Sequence, residues 1–226
     1  MVHYLYLHGF ASGPQSYKAQ ALRARFEAVG LSLTIPDLNQ GDFFGLTLSR
    51  QIQQARELIL AQAQPTVIIG SSLGGLTAAW VAEQADLRGR IEKLVLLAPA
   101  FRFLAQWLPR LGEAALDQWR RQGELSVYHY ADQEQKTLHY RFVEDAQGYN
   151  DDALQAPIPT LICHGTQDEV IAIEASRAYA LRRPWVQLLE LDSDHALGDV
   201  EAEIWQAMAD FLGLAAASRI DDGSEP

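Results

Sequence analysis

The sequence is poor in cysteine and in basic residues, and it has no long hydrophobic run. Cys163 is the only cysteine, so no disulfide can form within the chain. Lysine and arginine total 18 against 29 aspartate and glutamate residues, which gives a formal net charge of −11. Nucleic-acid binding needs a basic surface that neutralises phosphates, so this balance argues against it. No apolar stretch approaches the length of a membrane-spanning helix.

The N-terminus also lacks the pattern of a secretory signal. MVHYLYLHGF enters a strand-like run directly, without a basic segment followed by an apolar one. We therefore expect a cytoplasmic protein with no membrane partner and no nucleic-acid partner. The remaining composition is ordinary, because 48% of the 226 residues are hydrophobic and 21% are charged. A chain of this length can bury one sizeable core.

Strand-like apolar runs alternate with segments of helical periodicity. The strand-like runs are continuous and apolar, which is typical of parallel strands that helices cover on both faces of a sheet. The runs lie at 2–8, 31–38, 66–70, 93–100, 160–165 and 186–191. Apolar residues at helical spacing predict helices at 16–29, 48–59, 76–84, 173–181 and 200–212. The pattern predicts an α/β fold.

Residues 101–157 break this alternation. They are rich in aromatic residues and contain two alternating runs, LSVYHY and TLHYRFV, which predict a β-hairpin. An insertion here would overhang the carboxyl ends of the strands, where open α/β sheets bind ligands. We expect a single domain over 1–213 with a cap at about 101–157 that shapes a substrate pocket, and a flexible tail at 214–226. The alternative is an exposed embellishment without a role.

The stretch VIIGSSLGGL, residues 67–76, fits one loop motif and excludes two others. A phosphate-binding loop of nucleotide hydrolases needs a lysine that is missing here, and the glycines are spaced wrongly for a dinucleotide-binding loop. The spacing Gly-x-Ser-x-Gly does fit. It is typical of a serine that a sharp strand-to-helix turn exposes as a nucleophile.

Ser72, and not Ser71, occupies the centre of that motif. The residues two before and two after the serine crowd each other and need to lack side chains. Ser72 has Gly70 and Gly74 at these places, whereas Ser71 has two bulky residues. A helix that follows directly also aims its positive end at a developing oxyanion. We predict that Ser72 is a nucleophile and that Gly70 and Gly74 form the nucleophile elbow.

A serine nucleophile needs a base, and the base needs an acid that orients it. His195, in LDSDHALGDV, lies in the loop after the last predicted strand, at the carboxyl edge of the sheet. His8 and His164 also end strands, but we do not expect either loop to reach over Ser72. We therefore predict that His195 is the base, and that the remaining histidines have packing or surface roles.

Asp168, in HGTQDEV, is the predicted acid because it lies in the loop after the preceding strand. Asp194 is too close to His195 in sequence to face its ring easily and is expected to brace the turn. Asp145 is a second candidate, since an acid can also follow the LVLLAPA strand. The order Ser72, Asp168, His195 is that of the α/β-hydrolase layout.

Several of these stretches resemble motifs of the α/β-hydrolase superfamily, namely GSSLGG, HGTQDEV, DSDHALG and LHGFASGP. The opening LYLHGFASGPQSYKA is most similar to small bacterial esterases of the YqiA-like type. The similarity covers elements in order over about 4–99 and 158–212. It implies a mostly parallel sheet, a serine triad and no cofactor. Because Val2 already starts the first strand, the two leading antiparallel strands of larger members are missing, and we expect a reduced, six-stranded sheet with helices on both faces.

The resemblance also implies an oxyanion hole. The residue after His8-Gly9 supplies one backbone N–H group, which here is that of Phe10, and Leu73 supplies the second. Phe101 and Trp107 are candidates for an apolar acyl pocket, although each also suits the core.

These residues predict a serine hydrolase that acts on a carboxylic ester or acyl thioester, a small-molecule substrate, through an acyl-enzyme. One alternative is another chemistry on the same fold and triad, such as carbon–carbon hydrolysis, lyase or acyltransferase activity. A second is a non-catalytic binding protein, against which the intact triad argues. A metalloenzyme is least favoured because no His-x-x-Glu-His or His-x₃-His spacing occurs, so no metal site is predicted.

Overall fold

The structure is a computed structural model that describes residues 2–214. Its strands are β1 (His3–Leu7), β2 (Leu33–Thr34), β3 (Thr66–Ser71), β4 (Ile91–Leu97), β5 (Glu124–His129), β6 (Glu134–His139), β7 (Thr160–Gly165) and β8 (Val186–Leu191). Its α-helices are α1 (Tyr17–Ala28), α2 (Leu48–Leu60), α3 (Leu73–Ala82), α4 (Phe103–Leu111), α5 (Glu113–Gln122), α6 (Arg141–Ala146), α7 (Glu174–Leu181) and α8 (Glu201–Leu212).

Six of these strands form one parallel sheet in the order β2-β1-β3-β4-β7-β8. After β1 the chain turns to one edge to form β2, and from β3 onward it adds strands toward the other edge. The order therefore reverses between β1 and β3, and in open α/β sheets ligands bind at the carboxyl ends of strands beside such a reversal. The expected six-stranded fold is confirmed.

Helices cover both faces of this sheet. Every residue of β3 is buried, and since successive side chains of a strand point to opposite faces, both faces must be covered. Ile68 belongs to one hydrophobic cluster, together with Ile52 of α2. Its neighbour Ile69 belongs to the other cluster, together with Phe26 of α1 and Ile204 of α8. The continuous apolar runs in the sequence reflect this burial on two sides.

Helix α3 begins at Leu73, three residues earlier than predicted. The predicted helix, 76–84, left out Gly74 and Gly75, and glycine is a poor helix former. Both glycines instead lie in the first turn of α3 and are buried, since this turn packs tightly against neighbouring backbone. Tertiary contact outweighs helix propensity at this position.

The predicted hairpin is confirmed, with β5 and β6 paired antiparallel from Glu124–His139 to His129–Glu134. The expected extent of its second strand is wrong, because the chain turns into α6 after His139 and buries Phe142 in the core. Helices α4 and α5 precede the hairpin in the same insertion and were not predicted. Of the expected tail, residues 215–226 lie outside the described residues.

Within residues 2–214, no helix combines the length and the apolarity that crossing a bilayer requires.

Candidate active site

Ser72 lies on the sharp turn between β3 and α3 and has a strained backbone. Its dihedral angles are φ 53° and ψ −119°, a region that residues with a side chain rarely adopt. Four backbone hydrogen bonds hold it there. Ser72 N–H donates to Leu97 O at 2.9 Å. Ser72 O accepts from Gly75 N–H at 2.9 Å, from Leu76 N–H at 3.1 Å and from Ala100 N–H at 3.0 Å. The strain is therefore maintained by strand β4, by the loop that follows it and by the first turn of α3.

The two glycines around Ser72 leave no room for side chains. A Cβ atom on Gly70 would collide with the carbonyl oxygen of Gly74. A Cβ atom on Gly74 would collide with the carbonyl oxygens of Leu7 and His8, at the end of β1. The first collision is the one that the motif predicts, and the second shows that the turn also packs against the neighbouring strand.

Ser72, His195 and Asp168 form a chain of hydrogen bonds. Ser72 Oγ lies 3.0 Å from His195 Nε2, and His195 Nδ1 lies 2.7 Å from Asp168 Oδ2. A carboxylate only accepts hydrogen bonds, so Nδ1 carries the proton and Nε2 is free to accept the serine O–H. This arrangement allows the imidazole to take a proton from Ser72.

The side chain of Asp168 is fully buried, whereas that of His195 is 22% exposed. Oδ1 of Asp168 accepts from the backbone N–H groups of Val170 and Ile171, both at 2.8 Å. Burial by itself would raise the pKa of Asp168. Hydrogen bonds from His164, His195 and the backbone of Ile171 outweigh burial and hold this pKa well below its usual range, so the acid stays ionised.

The loops that carry Asp168 and His195 are packed against each other. Gln167 N–H donates to Ser193 O at 3.0 Å, and a Cβ atom on Gly165 would collide with the same carbonyl oxygen. Asp194 Oδ1 accepts from the backbone N–H groups of two residues that follow His195, at 2.8 and 3.2 Å. Asp194 therefore braces the turn, as predicted.

Phe10 and Leu73, the residues predicted to supply the oxyanion hole, follow Gly9 just after β1 and Ser72 just before α3. Leu73 is the first residue of α3, so its N–H has no acceptor within the helix. Neither N–H group donates a hydrogen bond to another group in the range 2–214. Gly9 lies close to the serine: a Cβ atom on Gly9 would lie 3.3 Å from Ser72 Cβ. Leu73 thus follows Ser72 directly in sequence, and Phe10 follows Gly9, which lies against Ser72.

Residues 3–212 of the chain match the family model described as "Uncharacterised protein family (UPF0227)". The chain belongs to UPF0227. No curated protein sequence matches it.

Solved structures show that this UPF0227 member has the α/β-hydrolase fold. Alpha/beta hydrolase domain-containing protein 10 from mouse is 19% identical, with a TM-score of 0.76, over 95% of this chain and 89% of that chain. A putative hydrolase from Agrobacterium vitis S4 is 20% identical, with a TM-score of 0.79, over 94% and 87%. Est1E from Butyrivibrio proteoclasticus, solved with ferulic acid bound, is 20% identical, with a TM-score of 0.75, over 96% and 90%.

The two residues suggested for an acyl pocket pack against different aromatic rings in the UPF0227 chain. Phe101 stacks on Tyr179, with ring centroids 4.3 Å apart. Trp107 belongs to an aromatic cluster under the cap, 5.2 Å from the rings of both Phe10 and Phe103. Both residues therefore pack against other rings.

A cavity of about 220 Å³ lies beside the first turns of α3, and sequence reasoning did not find it. Its lining is mainly apolar and comes from α2, α3 and the cap, including Leu48, Leu73, Leu76, Phe103, Ala105 and Tyr149. Phe103 and Ala105 lie on α4, a helix that the sequence pattern did not predict. Only folding of the cap onto α3 encloses this space.

The other acidic and histidine candidates have structural contacts. Asp145 Oδ2 accepts from Ser49 N–H at 2.9 Å and so joins the cap to the start of α2. His8 Nε2 accepts from Leu38 N–H at 2.9 Å, and His8 Nδ1 lies 3.0 Å from Gly9 O. Neither side chain forms a hydrogen bond with Ser72.

His164 is the residue near the site that sequence reasoning missed. It does not reach Ser72, as expected, but its Nε2 lies 3.1 Å from Asp168 Oδ2. Its position four residues before the predicted acid, at the end of a strand, was the available signal. Within the described range, no group of three histidine, cysteine, aspartate or glutamate side chains is arranged to hold a metal ion.

Proposed function

We propose that this UPF0227 member is a serine hydrolase that cleaves carboxylic esters or acyl thioesters. Ser72 is the nucleophile, His195 the base and Asp168 the orienting acid. The observation that carries the proposal is the unbroken chain of hydrogen bonds from Ser72 Oγ through both imidazole nitrogens to a buried carboxylate. Such a chain activates a hydroxyl group that is a weak nucleophile by itself.

In the first half of the reaction, Ser72 Oγ attacks the carbonyl carbon while its proton moves to His195 Nε2. The resulting imidazolium is stabilised by Asp168. The tetrahedral intermediate then expels the alcohol or thiol, which takes the proton from Nε2, and the acyl group stays on Ser72. In the second half, water gives a proton to Nε2 while its oxygen attacks the acyl carbon. The second tetrahedral intermediate then breaks its bond to Ser72 Oγ, which takes the proton back from Nε2, and the carboxylic acid is released.

The backbone N–H groups of Phe10 and Leu73 serve as the oxyanion hole in this proposal. Both are unpaired within residues 2–214, and Ser72 stands at the N-terminus of α3, where the helix carries its positive end. Losing one such donor typically costs about a hundredfold to a thousandfold in rate. The motifs LHGFASGP and GSSLGG support the assignment, because Phe10 and Leu73 stand at the positions in these motifs where the superfamily places its two donors.

The apolar cavity beside Leu73 suits the acyl group. An engineered apolar cavity of roughly 150 Å³ in another protein holds benzene, so about 220 Å³ accommodates a single ring or a short hydrocarbon chain. The Est1E structure, which has the same fold, was solved with the aromatic acid ferulic acid bound. We therefore propose substrates with a compact apolar acyl group.

The first experiment labels the purified protein with a fluorophosphonate probe and measures hydrolysis of a panel of p-nitrophenyl esters and acyl thioesters. We expect stoichiometric labelling of Ser72, seen by peptide mass spectrometry, and turnover of compact apolar esters. Labelling without turnover of any ester or thioester would contradict ester hydrolysis and favour another chemistry on the same serine. Absence of labelling would favour a binding protein.

A further inference from the structure

His164 is buried at the end of β7 and contacts the acid of the proposed triad. The residue is fully buried. Its Nε2 lies 3.1 Å from Asp168 Oδ2 and 3.0 Å from the carbonyl oxygen of Ile171. Its Nδ1 lies 2.8 Å from Ser176 Oγ, on α7. Both ring nitrogens therefore have close polar partners.

These partners determine where the ring carries a proton. A carbonyl oxygen and a carboxylate oxygen only accept hydrogen bonds, so a bare Nε2 facing both would be repelled by two lone pairs. Nε2 must therefore be protonated, and it shares its proton between Ile171 O and Asp168 Oδ2. Ser176 can adapt to either state of Nδ1, because a hydroxyl group both donates and accepts.

His164 completes the hydrogen bonding of the Asp168 carboxylate. Oδ1 accepts two backbone N–H groups, from Val170 and Ile171. Oδ2 lies 2.7 Å from His195 Nδ1 and 3.1 Å from His164 Nε2, whose proton is shared with Ile171 O. Each oxygen has two acceptor sites, and two N–H groups approach each of them. These contacts oppose rotation of the carboxylate.

We propose that His164 is a positioning residue that fixes the orientation of the Asp168 carboxylate and shares its negative charge with His195. This inference rests on the proposed function of Ser72, His195 and Asp168. Because both imidazoles bind the same oxygen, removing the His164 donor leaves more negative charge for the bond to His195. The charged imidazolium that forms during the reaction is then stabilised more strongly, and we expect the acidic limb of the pH–rate profile to move to higher pH.

Other charged groups also lie near the pair formed by His164 and Asp168. Glu190, on β8, is the register partner of His164. Lys18, on α1, lies in the field of Asp168 and of Asp194 in the loop after β8. None of these groups donates a hydrogen bond to Asp168 in the described structure. His164 is therefore the group whose removal changes the bonding of the carboxylate directly.

The first test needs no activity. Side-chain ¹H–¹⁵N spectra of the labelled wild-type protein at about pH 8 report which nitrogen of each histidine carries a proton. The His164 signals are assigned by their loss in the variant His164→Gln. We expect a protonated Nε2 on His164. A bare Nε2 with the proton on Nδ1 alone would overturn the proposal, whatever the enzyme hydrolyses.

The second test compares pH profiles of kcat/KM for hydrolysis of a p-nitrophenyl ester. The variant His164→Phe keeps a ring of similar size but removes the donor. We expect its acidic limb to lie about half a pH unit above that of the wild type, with kcat about tenfold lower and KM nearly unchanged. The variant His164→Gln, which restores an N–H donor, should bring the limb back toward the wild-type position.

Ser176→Ala is the matched control, because it disturbs the same buried ring on its other nitrogen and leaves Asp168 untouched. Its limb should coincide with that of the wild type. If His164→Phe is folded, as judged by circular dichroism, and its limb also stays in place, the role is only structural and the proposal fails. If His164→Phe does not fold, the position of the proton on His164 in the wild-type protein decides whether the proposal holds. A wild type that hydrolyses nothing contradicts the proposed function instead, and the spectra still test the contact.

Discussion

His195 Nε2 lies 3.0 Å from Ser72 Oγ although 123 residues separate the two in sequence. Strand β8, which precedes His195, lies three positions away from β3 in the sheet, a span of about 14 Å. The loop after β8 must therefore cross the carboxyl edge of β7 and β4 to reach the serine. The hydrogen bonds of Asp194 and the backbone hydrogen bond to Ser193 O stabilise this conformation of the loop.

Replacing Ser71 and Ser72 one at a time shows which of the two serines is the nucleophile. Ser72→Ala should abolish fluorophosphonate labelling and lower kcat by about a millionfold, since the attacking oxygen is gone. Ser71→Ala should keep both, because Ser71 is buried and faces Lys18 Nζ at 3.4 Å instead of His195. Intact-protein mass spectrometry and ester hydrolysis measure the two effects. Loss of labelling in Ser71→Ala alone would mean that the wrong serine was assigned.

Asp168→Asn should lower kcat by about ten-thousandfold while the fold remains. The amide oxygen can still accept the two backbone N–H groups, so the NH₂ group would face His195 Nδ1–H. The imidazole must then change tautomer and present N–H to Ser72, which prevents it from accepting the serine proton. Steady-state kinetics measure this loss. Asp192→Asn, an exposed change in the loop of His195, is the control and should retain activity; equal losses in both variants would argue against an orienting role.

Gly70→Ala should destabilise the protein by about 3 kcal/mol or more, because the new Cβ atom collides with the backbone of α3. Gly198→Ala is the control, since no atom lies within 4 Å of a Cβ atom at that exposed position. Its effect should stay within about 0.5 kcal/mol. Urea denaturation measures the free energy of unfolding of each variant. Similar stability of Gly70→Ala and wild type would contradict the packing described for the elbow.

Ala105→Trp should narrow the range of acyl groups that the enzyme accepts. Ala105 is an exposed residue of α4 that lines the apolar cavity, so an indole ring there fills space without disturbing the core. We expect kcat/KM for phenyl-bearing or hexanoyl esters to fall about tenfold or more relative to acetyl esters. Ala114→Trp places the same ring on exposed α5, away from the cavity lining, and should leave the ratio unchanged. An unchanged ratio in Ala105→Trp would exclude this cavity as the acyl site.

Lys18 should make stability rise with pH in the alkaline range. Burial lowers its pKa to about 8, and the nearby carboxylates of Glu201, Asp194 and Asp168 only partly offset this effect. The unfolded chain, with a lysine pKa of about 10.4, binds more protons than the native state between these two values. The free energy of unfolding of the wild type, relative to Lys18→Met, should therefore increase by about 2 kcal/mol from pH 7 to pH 10. Urea denaturation at both pH values measures the change; a constant difference would mean that Lys18 titrates normally.

The elements of the sheet and the elbow were predictable because each depends on short-range rules. Burial on two faces makes β3 a continuous apolar run, and the turn after it requires Gly70 and Gly74 on either side of Ser72. The cap was predicted only in part. Its hairpin shows the two-residue alternation of strands, whereas α4 and α5 pack their aromatic residues against the core and one another in a way that sequence periodicity did not reveal.

Two features of the site required the tertiary structure. The contact between His164 and Asp168 depends on the conformation of the loop after β7, which brings Asp168 back to the end of its own strand. The cavity beside Leu73 depends on how the cap packs against α3. The sequence by itself determined the fold, the elbow and the residue types that the proposed chemistry needs, because backbone sterics and strand burial act over a few residues. Only the folded chain decided which side chains share the Asp168 carboxylate and what space remains for a substrate, because those outcomes depend on packing between segments far apart in the sequence.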